Sequence, residues 1–175
     1  MGRKPIHTAR MAGSAACAVA GLLVTLTAAA AVLPAGYRVV DLGGMPGGSG
    51  AFGINAEGFA AGYQMVGQYL PHAVLYSGGL VQDLGTLGGD ASLATAVGAG
   101  GQVVGWARRS DATRHAFLYR GGAMEDLGTL GGSYSMAFAV NSSGIVVGSS
   151  AVNDSRYEVP FVWTNAGGMQ PLRDV

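Results

Sequence analysis

A pattern that returns every 42 to 43 residues constrains this chain more than any other feature. Asp41-Leu42-Gly43 recurs as Asp83-Leu84-Gly85 and Asp126-Leu127-Gly128, at intervals of 42 and 43 residues. Gly58, Gly101 and Gly144 keep an interval of 43, and so do Gly62, Gly105 and Gly148. His72-Ala73-Val74-Leu75-Tyr76 returns as His115-Ala116-Phe117-Leu118-Tyr119, then as Val159-Pro160-Phe161-Val162-Trp163. Many independent matches at one period mean one supersecondary module copied in tandem. Such a module cannot bury its own faces and depends on its neighbours for a core.

Each copy reads as four short strands. Ala51–Asn55, Ala94–Gly98 and Ala137–Asn141 are the first strands. A three-residue turn ending in Gly58, Gly101 or Gly144 follows, where the last glycine supplies the positive φ of a tight hairpin. Second strands carry Gly62, Gly105 and Gly148, and a looser polar loop leads to the third strands at His72, His115 and Val159. Gly-Gly turns then lead into the fourth strands, which carry the Asp-Leu-Gly. Valine, isoleucine and aromatics between glycine turns favour strands, and no helical periodicity with caps is seen after residue 36. The predicted fold class is therefore all-β: a β-propeller-like array of three four-stranded repeats, partial or open, after an N-terminal signal helix. The repeat units are cut at 37–79, 80–122 and 123–168, with the start of a fourth at 169–175. Phe52, Phe138, Tyr76, Tyr119 and Trp163 are expected to fill the space between blades. Tyr37–Gly43 is a fourth-type strand without the three that should precede it. Three blades plus a spare strand is short of the usual four to eight blades, so self-association through unpaired end strands is expected.

The first 35 residues are unlike the rest. Arg3, Lys4 and Arg10 form a basic start, and residues 11–37 carry no charge. An apolar stretch ending in Ala28-Ala29-Ala30-Ala31 completes the pattern of a secretory signal peptide, with residues 36–175 as the exported repeat domain. An uncleaved anchor is the competing reading, since roughly 20 apolar residues can span a bilayer. Membrane contact is expected only through this segment, and the destination is the cell surface, the periplasm or the medium. Residues 36–175 hold seven Arg, no Lys, ten Asp plus Glu and no Cys, for a net charge of −3. That balance gives no electrostatic footprint for nucleic acid, and the domain must be held by its core and its sheets without disulfides.

Few residues offer chemistry. Asp41, Asp83 and Asp126 are the carboxylates that repeat; they could bind calcium or act as an acid–base pair. A residue needed once per copy more simply serves the copy, by accepting hydrogen bonds from turn amides. His72 and His115 lie on adjacent copies with no third ligand at Val159, which is poor for zinc and suits a histidine tying strand to loop. There is no Gly-x-Ser-x-Gly, and the glycine-rich stretch 43–50 lacks the Lys-Ser/Thr ending of a phosphate loop. No catalytic, metal or cofactor-binding residue is assigned. Charge concentrates in the loop between second and third strands: Arg108, Arg109, Asp111 and Arg114 in the middle copy, Asp154 and Arg156 in the last. Loops carry grafted function on repeat scaffolds, so this rim is the candidate ligand surface, against the alternative that its charges only maintain solubility.

The strings Asp83-Leu84-Gly85-Thr86-Leu87-Gly88-Gly89 and His115-Ala116-Phe117, with the Val-Val-Gly strand, resemble the bacterial extracellular HAF repeat family over residues 38–172. The resemblance implies an exported repeat protein of poorly defined molecular function. The chain departs from the pattern at Val74, at Val159-Pro160 and at Pro171. The functional expectation is a non-catalytic extracellular interaction or structural module whose partner is a surface glycan or protein. A carbohydrate-active propeller, hydrolase or lectin, is the alternative, and a truncated gene product without independent function is the third.

Overall fold

The computed structural model describes residues 47–67, 69–153 and 157–172. The signal segment, the Tyr37–Gly43 strand, Asp41, Asp154 and Arg156 lie outside them. The described residues form twelve strands in three four-stranded antiparallel meanders, with no α-helix among them. Sheet 1 comprises β1 (Ser49–Ile54), β2 (Ala60–Val66), β3 (Leu70–Ser77) and β4 (Leu80–Asp83). Sheet 2 comprises β5 (Gly88–Val97), β6 (Val103–Arg109), β7 (Arg114–Arg120) and β8 (Ala123–Asp126). Sheet 3 comprises β9 (Ser135–Val140), β10 (Val146–Ala151), β11 (Glu158–Thr164) and β12 (Gly168–Pro171). The Asp-Leu-Gly strands β4 and β8 thus close sheets 1 and 2, and Gly168–Pro171 closes sheet 3. The structural unit is one strand out of phase with units cut at 37–79, 80–122 and 123–168.

One local device recurs in all three sheets. The register between first and second strand slips at Phe52, at Thr95 and at Phe138, each time leaving one extra residue on the first strand. Opposite the slip stand Gly62, Gly105 and Gly148. A Cβ on these would fall far inside contact with the carbonyl oxygens of Gly50, Leu93 and Met136 respectively. The bulge presses one backbone onto the next, and only glycine leaves room for it. This is the physical reason for the third residue of Val-Val-Gly. The bulge also overturns one expectation. Phe52 is 59% and Phe138 49% exposed, because the extra residue of a bulge is turned out of the alternation and away from the core. Phe52 stacks on Tyr63 at 5.8 Å between ring centroids instead. Tyr119 and Trp163 are buried between sheets as expected, whereas Tyr76 is buried with Ala60 and Val74 on the face of sheet 1 turned away from sheet 2.

The sheets pack face to face. From sheet 2, Val103, Ala107, Phe117 and Tyr119 meet Ala61, Ala73 and Leu75 of sheet 1. Its opposite face sends Val104, Ala116 and Leu118 against Ala137, Val146, Phe161 and Trp163 of sheet 3. Being covered on both sides explains the continuous apolar run of β7, whereas β10 alternates buried and outward residues at its start. First strands touch from sheet to sheet, β1 to β5 and β5 to β9. The Thr95 hydroxyl donates to the Ala137 carbonyl at 2.7 Å, and the Asn55 side-chain Nδ2 to the Gly98 carbonyl at 2.8 Å.

Candidate functional site

The repeated polar residues form a joint between consecutive sheets. In sheet 2, the Asp126 carboxylate accepts from the Gly128 amide at 2.8 Å and meets His115 Nδ1 at 2.7 Å. In sheet 1, Asp83 accepts from the Gly85 amide at 2.8 Å and meets His72 Nδ1 at 2.9 Å. Gly85 and Gly128 have φ of 77° and 76°, the left-handed conformation that turns the chain back under the carboxylate. The turn aims the glycine carbonyl at the next sheet. Ser92 donates to the Gly85 carbonyl at 2.5 Å and accepts from the Ala73 amide at 2.8 Å. Ser135 repeats this one copy later, donating to Gly128 at 2.6 Å and accepting from Ala116 at 2.7 Å. Both serines are fully buried. His, Asp and Ser of the repeat therefore hold one structure between them. Sequence reasoning foresaw the turn amide on the carboxylate but not the pairing of His with Asp, nor the serine. The pairing of His with Asp could have been found because the two change together: the third copy carries Val159 in place of His and Pro171 in place of Asp, with Pro160 where the amide donor should be, whereas the serine recurs unchanged as Ser92 and Ser135.

The charged loop of the middle copy is built differently. Residues 109–113 make the turn between β6 and β7: the Arg109 amide donates to the Thr113 carbonyl at 2.9 Å and the Ala112 amide to Arg109 at 3.1 Å. Ala112 has φ of 66°, an unusual position for a residue with a Cβ. Asp111 Oδ1 accepts from the Thr113 amide at 3.0 Å and from its hydroxyl at 2.5 Å. These two bonds, the hydroxyl first, hold the Asp111 carboxyl below the ordinary aspartate value, with the Arg109 charge adding a smaller push in the same direction.

Around this turn lies an open hollow of about 270 Å³ lined by Trp106, Arg108, Asp111, Ala112, Thr113, Arg114 and Ser133. Of the sequence-predicted rim, Arg108, Asp111 and Arg114 come together here. Arg109 instead turns back toward Asp126 at 3.6 Å. Trp106, Ser133 and the adjoining Tyr134 were missed, because they sit in a strand and in the crossing between sheets rather than in the charged run; Thr113 lies within the run but carries no charge. Arg114 lies over the Trp106 ring at 4.7 Å and over the Tyr134 ring at 4.1 Å.

From Thr113 at the hollow a hydroxyl, an imidazole and a carboxylate run in sequence behind its lining: Thr113 Oγ1 is 3.4 Å from His115 Nε2, and His115 Nδ1 reaches Asp126. The proton of the Thr113 hydroxyl, however, goes to Asp111 at 2.5 Å, so the imidazole does not draw on it. Among the described residues, no group of three or more His, Cys, Asp or Glu is placed to hold a metal ion. No protein-family model, curated protein or solved structure matches this chain.

Proposed function

We propose that this chain is an exported, non-catalytic β-repeat protein of the HAF type, an open array of propeller-like blades whose β6–β7 rim meets a surface partner outside the cell. The observation that carries the reading is the division of labour among its polar residues. Asp83, Asp126, His72, His115, Ser92 and Ser135 are spent on joining blades, copy after copy. Arg108, Asp111 and Arg114 belong to one copy alone and line an open hollow. Residues that recur serve the scaffold, and residues that occur once on an exposed loop can be given over to a partner without cost to the repeat.

Two details favour the open, propeller-like form. First strands meet at one side of the array, as inner strands do at a propeller hub. Closing the three sheets into a ring through the same joint would require sheet 3 to receive Ser49, the counterpart of Ser92. Pro160 has no amide to offer it, and Pro171 leaves no carboxylate to shape the turn. Against a hydrolase, the two described Asp-Leu-Gly carboxylates each face a histidine and a turn amide of their own sheet, not each other across a substrate cleft.

A glycan array probed with the purified chain tests this reading, alongside chromogenic glycosides. Binding that disappears in the double variant R108A/R114A, with no turnover, is expected. Glycoside turnover abolished by Asp126→Ala in a protein that remains folded would overturn the non-catalytic assignment.

A further inference from the structure

Resting on that rim as the binding surface, the geometry points to a specific ligand chemistry: we propose that the hollow holds the carboxylate of an acidic sugar, a uronic-acid unit, on the free edge of the Arg114 guanidinium. Every other described arginine is engaged. Arg108 pairs with Asp90 at 3.0 Å, Arg109 with Asp126 at 3.6 Å and Arg120 with Glu125 at 2.8 Å. The Arg114 side chain has no carboxylate or hydrogen-bond acceptor among the described residues. It has two aromatic faces instead, Trp106 at 4.7 Å and Tyr134 at 4.1 Å. Rings hold a guanidinium by its faces and leave its rim of N–H donors unspent, in the planar fork that matches a carboxylate. The residue is also pinned at its backbone, its amide donating to the Ser133 carbonyl at 3.1 Å.

The trio of Arg114, Trp106 and Tyr134 forms at one place in the array, where sheet 2 passes to sheet 3. By strand register Arg114 corresponds to Pro71 in sheet 1 and Glu158 in sheet 3, and Trp106 to Tyr63 and Ser149. The blade can be built without it. The rest of the hollow selects among anions. Ser133 offers a hydroxyl and Thr113 an accepting hydroxyl oxygen, while Asp111 Oδ2 makes no hydrogen bond to Thr113 and has the Arg109 guanidinium 4.0 Å away, so it can still accept from a ligand hydroxyl. An anionic Asp111 repels a phosphate or sulfate dianion, or a run of acidic peptide, more than one carboxylate flanked by hydroxyls. A neutral sugar would want a bare aromatic face, and Arg114 lies over the Trp106 ring. The volume of about 270 Å³ lies just below the ~300–1,000 Å³ of drug-sized sites and fits one sugar ring.

Tetragalacturonate titrated into the purified chain, followed by amide NMR, tests the proposal. Shifts are expected at residues 106–114 and 133–134, with affinity on the order of tenfold weaker in Arg114→Lys, which keeps the charge but not the fork or the stacking. Equal affinity in Arg114→Lys overturns the proposal. Methyl-esterified tetragalacturonate, compared on the unaltered protein, should bind on the order of tenfold more weakly. Equal binding of the ester at the same amides sinks the carboxylate while leaving the rim reading intact. Equal binding of tetraglutamate sinks the sugar, and shifts confined to other amides sink both readings. Absence of any tetragalacturonate binding overturns the inference, leaving the rim reading to the glycan array.

Discussion

Ser135→Ala isolates the joint between sheets 2 and 3. The serine hydroxyl is fully buried, donates to the Gly128 carbonyl at 2.6 Å and accepts from the Ala116 amide at 2.7 Å. Removing it leaves the buried Ala116 amide and the half-buried Gly128 carbonyl without this partner, at about 1–3 kcal/mol each at most. Partial relaxation brings the expected loss to about 2–4 kcal/mol, a large part of the ~5–15 kcal/mol that holds a domain together. At a urea slope of about 2 kcal/mol/M the midpoint falls by roughly 1–2 M. Trp106 lies in sheet 2 and Trp163 in sheet 3, so single-tryptophan backgrounds report the two sides of the joint separately. Because the units are coupled only through their interfaces, Trp163 fluorescence should change at lower urea than Trp106 in the variant. Ser133→Ala, at an exposed neighbour, is the control and should stay within about 0.5 kcal/mol. A Ser135→Ala loss no larger than the control's would refute the buried joint.

Gly105→Ala places a Cβ against the Leu93 carbonyl and the Ala94 backbone, neither of which can yield; it should cost about 3 kcal/mol or leave the protein insoluble, read by thermal melting and soluble yield. Asp126→Ala should destabilise more than Asp83→Ala in the same melts, because Asp126 is 33% and Asp83 51% exposed and the His115 partner is the more buried imidazole. Asp111 should titrate below an ordinary aspartate by carboxyl-carbon NMR, and Thr113→Val should raise it toward that value. The sign follows from the depressed folded-state pKa: the Asp111 contribution is present above the unfolded value and is lost as pH falls through the lower, folded one, so Thr113→Val should flatten the acid limb of a stability–pH profile.

The sheets were legible because their punctuation is local. Gly58, Gly101 and Gly144 turn hairpins with φ of 83°, 78° and 77°, and such glycines betray themselves in any sequence. The joint was only half legible. The Asp-to-amide bond spans two residues and could be anticipated, but His115 meets Asp126 eleven residues on, through the register of β7 and β8, and Ser135 reaches Ala116 across nineteen. Phe52 and Phe138 were misjudged because a hydrophobic residue in a strand reads as core until the bulge is known to spin it outward. The hollow was legible in its charges and invisible in its rings. Trp106 looks like any strand aromatic, and nothing in the sequence brings Tyr134 from the sheet-to-sheet crossing over Arg114.

The serine joint has a direction, and direction gives the array a grammar. Each complete unit offers a plug at its first strand and a socket behind its third: Ser92 fits the socket of sheet 1, Ser135 that of sheet 2. The third unit keeps the plug, while Pro160 seals its socket. Tandem duplication of the middle unit would therefore lengthen the row with no new contact to invent, whereas a duplicate of the third, set mid-row, would interrupt it. One proline is enough to write a full stop.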